Sequence, residues 1–578
     1  MTPEINTLIE RKKELHKIYL HASETREEAR NAFVDARNKS NAAVNKAKSE
    51  ASLAQLEEIA DLEFKDSRKF YQQLKKRGGL GVKSSQEIAA VRDPQTGNVA
   101  TKLEDKQKIF KDCWSVIGKD SIEESYDKGK RQEAQQMREE RKNIKWDISK
   151  ILLDPRSIED IKNPNKKRTL KELLSGLHAL PSREETHTSL HSKVTKDYKS
   201  AGMDEIPGIM LRAADETGVL TRLLTPLYQA CWRNGRFIKI WKSAMCVPLR
   251  KVDDNEAGPD DYRLIALLNL IGKVYENVID VRIGRYLEQL RNVPPAELQA
   301  QDMDDISNVQ YGFRRDPEGR STCDAKWNLA NVIRANARIK KKTIVCFLDI
   351  RKAYPRSNHS FLLKTCYKQG FREHLYSTID SHLTDRRHVV QLGDSVDDLK
   401  NEHFYPIDRG LAEGSLLSPV LFTIYINSIV SRIKAAGRGV VLTNSKGEVY
   451  ELGCLLYADD LVIIAENAED LNLMLAAAYE WACEHQTEFN LGKNKTEYMV
   501  FGAQGLGKDI IMLGDNRVEE VLEYRYLGHL FKQELGWFGN QSIDYMEAEK
   551  AKLDEDQIPK RMNSSGSNGA GWAWYESI

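Results

Sequence analysis

The sequence predicts an α+β fold in which an antiparallel sheet presents acids at one end and helices make up much of the rest. Three observations lead there. Leu455-Leu456 and Leu461-Val462-Ile463-Ile464 flank the tetrad Tyr457-Ala458-Asp459-Asp460, which reads as a tight β-hairpin with two carboxylates at its tip. Thr343-Ile344-Val345-Cys346-Phe347-Leu348 is a β-branched and aromatic run ended by Asp349, the pattern of a buried strand with an acid at its carboxyl end. Glu4 to Arg77 contains no glycine or proline and is dense in Ala, Glu and Lys, which favours long helix.

Along the chain, the apolar residues of that first segment (Ile9, Leu15, Ile18, Phe33) are too sparse for a coiled coil, and Gly78-Gly79 ends it. A turn at Pro94-Gln95-Thr96-Gly97 and a charged helix from about Leu103 follow. Residues 118 to 195 read as charged and irregular, with Leu170 to Leu180 as the one clear amphipathic helix. After the Thr343–Leu348 strand, Gly410-Leu411-Ala412-Glu413-Gly414-Ser415-Leu416-Leu417 leads into Ser418-Pro419. There Ser418 reads as an N-cap and Pro419 as the first helical residue, with Leu421, Ile424 and Tyr425 on the apolar face.

The chemistry follows from the acids. Carboxylates flanked by core strands cost free energy unless something positive binds them, and a hard divalent cation is the usual partner. A solvated turn is the bland alternative for Asp459-Asp460, and a strand-ending turn residue is that for Asp349. If the strand lies beside the hairpin, Asp349 and Asp459 can hold two magnesium ions for in-line displacement at a phosphate.

Composition bounds this reading without deciding it. The chain has 578 residues, enough for several subdomains, with 87 Lys and Arg against 86 Asp and Glu for a net charge of +1. Binding a polyanion therefore falls to local clusters: Lys340-Lys341-Lys342, Arg386-Arg387 and Lys493-Asn494-Lys495. Eight scattered cysteines form no CxxC pair or Cys/His knuckle, so neither a disulfide framework nor a zinc site is indicated. No stretch is long and apolar enough to span a membrane and no secretory signal is visible, so an intracellular location, nucleus or cytoplasm, is expected.

From roughly residue 195 to 535 the chain resembles the reverse transcriptase of non-LTR, LINE-like retrotransposons, through seven motifs in the family's order. These are Val247-Pro248-Leu249-Arg250-Lys251 with Asp261 to Leu268; Gln310-Tyr311-Gly312-Phe313-Arg314 with Gly319 to Ala325; the strand ending in Asp349; Gly414 to Phe422; Tyr457 to Asp460; Asn494 to Gly502; and Tyr524 to Gly528. The resemblance implies a right-hand polymerase of fingers, palm and thumb with an antiparallel palm sheet, using two Mg2+ ions, an RNA template, a DNA primer and dNTPs. It makes Asp349 and Asp459 the main metal ligands and Asp460 the third carboxylate. Tyr354 would pack under the incoming sugar and exclude a ribose 2′-hydroxyl. Arg263 and Lys251, or Arg250 in its place, would grip the triphosphate, and Lys495 would donate a proton to pyrophosphate. Gly414 would sit near template and nucleotide, Gln310 and Arg314 in a nucleic-acid-binding fingers motif, and Tyr526 to Gly528 at the primer grip.

The family pattern is departed from at Pro355, where Asp is usual; at Glu413, usually Gln; at Leu416, usually Pro; and at Leu264, usually Pro. These changes leave the metal carboxylates intact and suit either a divergent lineage or a decaying copy. The implied layout is a helical charged segment over 1–118, resembling a basic linker but equally readable as a solvated arm, and an irregular connector over 119–195. Fingers and palm span 196–535, and a partial thumb with a flexible tail spans 536–578. No acid and histidine constellation precedes residue 195, so neither an endonuclease domain nor DNA nicking is expected. The other readings are an inactive remnant that at most binds RNA, and a group II intron maturase or telomerase-like polymerase. Ser418 to Phe422 favours the LINE-like form.

Overall fold

The structure is a computed structural model that describes residues 90–120, 127–143, 169–196, 200–251, 258–315, 320–392, 403–443, 449–502 and 509–533, with residue 88 and parts of 7–43. The chain divides into two compact units, Met1–Val82 and Lys83–Ile578. In the first, residues 7, 10–15, 18, 31–40 and 43 are helical, in keeping with their composition. The rest of the expected long helix, its Gly78-Gly79 end, Gly319 and residues 536–578 lie outside the described residues.

The second unit mixes helices with sheets. Its central strand, Thr343–Leu348, lies in a five-stranded sheet of order Cys454–Tyr457, Asp460–Ala465, Thr343–Leu348, Glu497–Phe501, Glu519–Glu520. All of the central strand is buried: Ile344, Cys346 and Leu348 join one core, Val345 and Phe347 another. Burial of both faces explains why this segment is a continuous apolar run. Helices Leu417–Ala436 and Ala468–Glu484 contribute to the first core, helix Thr322–Arg338 and the hairpin Glu523–Tyr526/His529–Lys532 to the second. Each buried side chain contributes roughly 1.5–3 kcal/mol, which lets the sheet carry mutually repelling acids at its end.

The sheet is not purely antiparallel, as expected of a palm sheet, but mixed. Glu519–Glu520 runs parallel to Glu497–Tyr498, because the chain between them crosses back instead of turning at the strand's end. A second sheet, of order Tyr262–Leu267, Ser243–Arg250, Arg386–Val390, Tyr405–Ile407, also contains one parallel pair, Ser243–Cys246 with Arg387–Val390. Helix Leu103–Ile117 buries Phe110 and Trp114 against Ala244, Cys246, Tyr262 and Tyr405 of this sheet. Residues 103–117, grouped in sequence with the preceding arm, thus share a core with the body.

Elsewhere the turn at Pro94–Thr96 forms as expected, closed by Asp93, which accepts from Gln95 N–H at 2.9 Å and the Thr96 hydroxyl at 2.7 Å. The amphipathic helix is Leu170–His178, capped by Thr169 and Glu172. The region 118–195 is less irregular than its composition suggests, because helices Lys128–Asn143 and Arg183–Leu190 also form there. The helix expected to start at Ser418-Pro419 begins instead at Leu417, and Ser415 is the residue whose hydroxyl accepts from Leu417 N–H, at 3.2 Å. Ser418 is buried inside the first turn.

Candidate active site

Strand register builds the site. Leu461 pairs with Leu348 and Tyr457 with Asp460, so the hairpin tip lies beside the residue that follows the central strand, Asp349. Between the paired residues the turn is Ala458-Asp459, with Ala458 at a φ of 58°. That left-handed conformation costs a residue with a side chain roughly 1–2 kcal/mol, so something must hold it. Gln310 does so: its Oε1 accepts from Ala458 N–H at 3.1 Å and from Gly312 N–H at 2.7 Å. A Cβ on Gly312 would collide with the Ala458 backbone nitrogen, which is why glycine stands there.

The three acids form one electrostatic group. Burial, then Asp459 and Asp349, pushes the Asp460 carboxyl up to about 6, with Lys495 pulling the other way. Asp459 is also raised, by burial and then by Asp349, while Arg263 and Lys495 oppose the rise. Alternation along the hairpin gives the two neighbours different surroundings. Asp459 acts on Tyr354 and Glu413, Asp460 on Tyr524 and Tyr526. Asp349 is oriented from the segment before the strand Glu497–Phe501: Asn490 Nδ2 donates to its Oδ2 at 3.1 Å, and Lys495 Nζ lies 3.4 Å from the same oxygen.

Facing the acids are cations and an aromatic floor. Arg263 Nε lies 3.9 Å from Glu413 Oε2, and its side chain is 67% exposed. Lys251 belongs to the same charge group: burial lowers its pKa, as do Lys352 and Arg263, while Glu413 and Asp260 raise it. Arg250 instead lies beside the Tyr262 ring, 5.9 Å from its centroid, so the structure groups Lys251 with Arg263. The Tyr354 ring stacks on Phe422 at 4.7 Å and 13°, and its hydroxyl pKa is raised by burial, then by Asp459 and Glu413. Gly414 has a φ of 137°, and a Cβ there would collide with the Ala266 carbonyl oxygen. That approach lets Ala266 N–H donate to the Glu413 carbonyl at 2.6 Å, docking the Glu413-Gly414 segment on the strand that carries Arg263.

Of the four residues expected to touch nucleic acid, Gln310, Arg314 and Tyr526 are buried and Gly528 lies in a turn. Gln310 is fully buried and serves the hairpin turn, not an open surface. Arg314 is spent on Glu288, with Nε to Oε1 at 2.6 Å and Nη2 to Oε2 at 2.8 Å, its side chain 2% exposed. The Tyr526 ring is buried 5.6 Å from Phe347 and 6.1 Å from Phe531. Gly528 lies with Leu527 in the turn of its hairpin, at φ of 78° and 47°, with open space around its Cα. Of the expected basic clusters, Arg386 faces inward and is 2% exposed, its pKa lowered to about 10 by burial.

Several contributors escape sequence reasoning. Tyr524 stacks on Phe347 at 4.1 Å and 8° and donates its hydroxyl to the Lys495 carbonyl at 2.6 Å. Glu276, buried in helix Leu270–Leu290, accepts from the Ser415 hydroxyl at 3.0 Å and Leu416 N–H at 2.8 Å, fixing the glycine segment from behind. Nothing in the sequence marks Glu276 out, since the same helix also carries Asp280 and Glu288.

An acid trio beside cations and a stacked aromatic is a charge layout suited to phosphates. Residues 249–531 match the family model described as reverse transcriptase (RNA-dependent DNA polymerase). It is similar to the RNA-directed DNA polymerase from mobile element jockey of Drosophila melanogaster, 24% identical over 57% of this chain and 33% of that protein. The jockey polymerase of Drosophila funebris is likewise 24% identical, over 62% of this chain and 36% of its own length. A Pol polyprotein from the type-1 retrotransposable element R1 of Bradysia coprophila is 26% identical over 52% of this chain and 28% of its length. The chain thus spans about a third of the length of these relatives, all from mobile elements. No described helix is long and apolar enough to cross a membrane.

Proposed function

We propose that this chain is the RNA-directed DNA polymerase of a LINE-like, non-LTR retrotransposon, a right-hand polymerase whose palm is the five-stranded sheet and whose fingers include the four-stranded one. The observation that carries the proposal is the convergence of Asp349, Asp459 and Asp460 at one sheet end, opposite Arg263 and Lys251 and beside Tyr354. The substrates are an RNA template, a DNA primer and dNTPs.

The donor set fits Mg2+: carboxylate oxygens only, with Asp459 and Asp460 raised in pKa by burial and then by the neighbouring acids, a strain that a hard cation relieves. Asp349 and Asp459, with Asp460, would hold two ions, which when bound activate the primer 3′-hydroxyl and offset charge on the leaving pyrophosphate. The remaining work belongs to the side chains. Arg263 and Lys251 bind the triphosphate and orient its α-phosphate toward the primer end. Tyr354, held flat by Phe422, forms the floor under the sugar. Lys495, whose Nζ lies 3.4 Å from Asp349 Oδ2, would deliver a proton to the departing pyrophosphate.

The test is primer extension on poly(A) RNA with oligo(dT), dTTP and Mg2+. Wild-type protein extends the primer, and Asp459→Asn, which removes charge while keeping shape, lowers the rate by orders of magnitude. No extension by the wild type, or undiminished extension by Asp459→Asn, overturns the proposal and favours a remnant that at most binds RNA.

A further inference from the structure

Away from these acids, one trio among the described residues has the donors and spacing of a transition-metal centre. His187 lies in helix Arg183–Leu190 and His191 caps its carboxyl end, so the two rings, four residues apart, leave the same face. Their centroids are 4.4 Å apart. Asp215, which caps helix Gly208–Ala214, places Oδ2 3.2 Å from His187 Nδ1 and 2.9 Å from His191 Nε2. The donor atoms all lie within 4.8 Å of one another. Ligands bound at about 2.0–2.2 Å to a tetrahedral ion stand roughly 3.3 Å apart, so little movement separates this trio from a closed site.

The carboxylate is anchored from behind. Asp215 Oδ1 accepts from Thr221 N–H at 2.6 Å, and Oδ2 from the Thr221 hydroxyl, also at 2.6 Å. Its side chain is wholly buried, whereas those of His187 and His191 are 55% and 34% exposed. An inner carboxylate fixed by hydrogen bonds, with two imidazoles opening toward solvent, leaves a fourth position for water. The absence of cysteine knuckles in the sequence argued against zinc, but this donor set is split between a helix end and a residue 24 positions beyond His191.

We propose that His187, His191 and Asp215 bind Zn2+ or a similar borderline divalent ion, which staples helix Arg183–Leu190 to the junction between helices Gly208–Ala214 and Val219–Arg233. Two imidazole nitrogens select such an ion over Mg2+, which prefers oxygen donors and serves the polymerase site. The stapled helix also holds helix Leu270–Leu290, through Glu185 Oε1 to Arg282 Nε at 2.6 Å. The ion therefore stiffens the layer from which Glu276 reaches the Ser415 segment.

The experiment uses the purified full chain, stripped with chelator and titrated with Co2+ as a spectroscopic substitute for Zn2+. The wild type should take up one high-affinity equivalent with the visible absorption of a low-coordinate Co2+ site. It should lack the thiolate charge-transfer band that binding by any of the eight cysteines would give. Zn2+ displaces the signal and excess Mg2+ does not. His187→Asn and His191→Asn change exposed side chains, keep a hydrogen-bonding amide near Asp215 and should lower the metal-free melting temperature only slightly. Each should weaken Co2+ binding by more than the roughly 10–100-fold that outer-shell changes cost, and each should abolish the Zn2+-induced rise in melting temperature. Absence of the Co2+ signal in the wild type overturns the proposal. So does a signal of equal strength in the His187→Asn/His191→Asn double variant, which would leave the trio as a hydrogen-bonded cap.

Discussion

Asp460 shows how a single residue reports on the site. Its folded pKa, about 6, lies above the ordinary 3.8, so the folded metal-free protein holds this proton more tightly than the unfolded chain does. The resulting stabilisation is fully present below the ordinary value and is lost as pH rises through about 6. In chelator at pH 7.5, Asp460→Asn should therefore be more stable than the wild type by on the order of 2 kcal/mol, the difference vanishing toward pH 4. Denaturant titrations at the two pH values measure it, and an increment independent of pH would mean that Asp460 lies outside the acid group. Tyr354→Ala tests the sugar floor. Discrimination against rNTPs should fall roughly ten-fold or more, since excluding one small group is worth about 1–3 kcal/mol, while dNTP incorporation persists at a lower rate. An unchanged dNTP-to-rNTP ratio would make Tyr354 a packing partner of Phe422 alone.

Among the elements, the hairpin tip and the central strand were legible in sequence because both follow local rules: period-two burial, a turn between apolar runs, and an acid at a strand end. The partners of Arg314 and Gln310 were not legible because an arginine and an amide carry no local sign of a partner as distant in sequence as Glu288 or Ala458. The start of helix Leu417–Ala436 was missed by two residues because Ser415, not Ser418, accepts from the first-turn N–H, and that choice depends on Glu276 from another helix. The Glu413–Ser415 segment is correspondingly sensitive. Gly414→Ala should destabilise by about 1–3 kcal/mol from backbone strain alone, with the collision at the Ala266 oxygen added, and extension should fall with it. Melting temperature and primer extension both check this, and wild-type values in both would show that the segment has room to move.

Over the whole molecule, the α+β class was legible in the sequence, whereas the route of the chain around it was not. Helix Lys128–Asn143 straps onto the body through Arg138, whose Nε donates to Asp380 Oδ1 at 2.7 Å, and through Arg131, whose Nη1 donates to Asn358 Oδ1 at 2.5 Å. Its composition showed only charge, since a surface helix and a helix docked by ion pairs look alike without their partners. A similar long-range tie links the Gln310 segment to the Ala458-Asp459 turn: a single buried oxygen receives the N–H groups of Gly312 and Ala458, which are far apart in sequence. Neither amide can be freed by a local movement of its own loop unless that oxygen lets go. Amide hydrogen exchange should therefore find Gly312 and Ala458 with matching protection, opening in one event, and Gln310→Ala should speed both together. Independent exchange at the two amides would separate them. A chain tied this way cannot flex between the Gln310 loop and the Ala458-Asp459 turn, so any rearrangement around the three acids must pivot elsewhere.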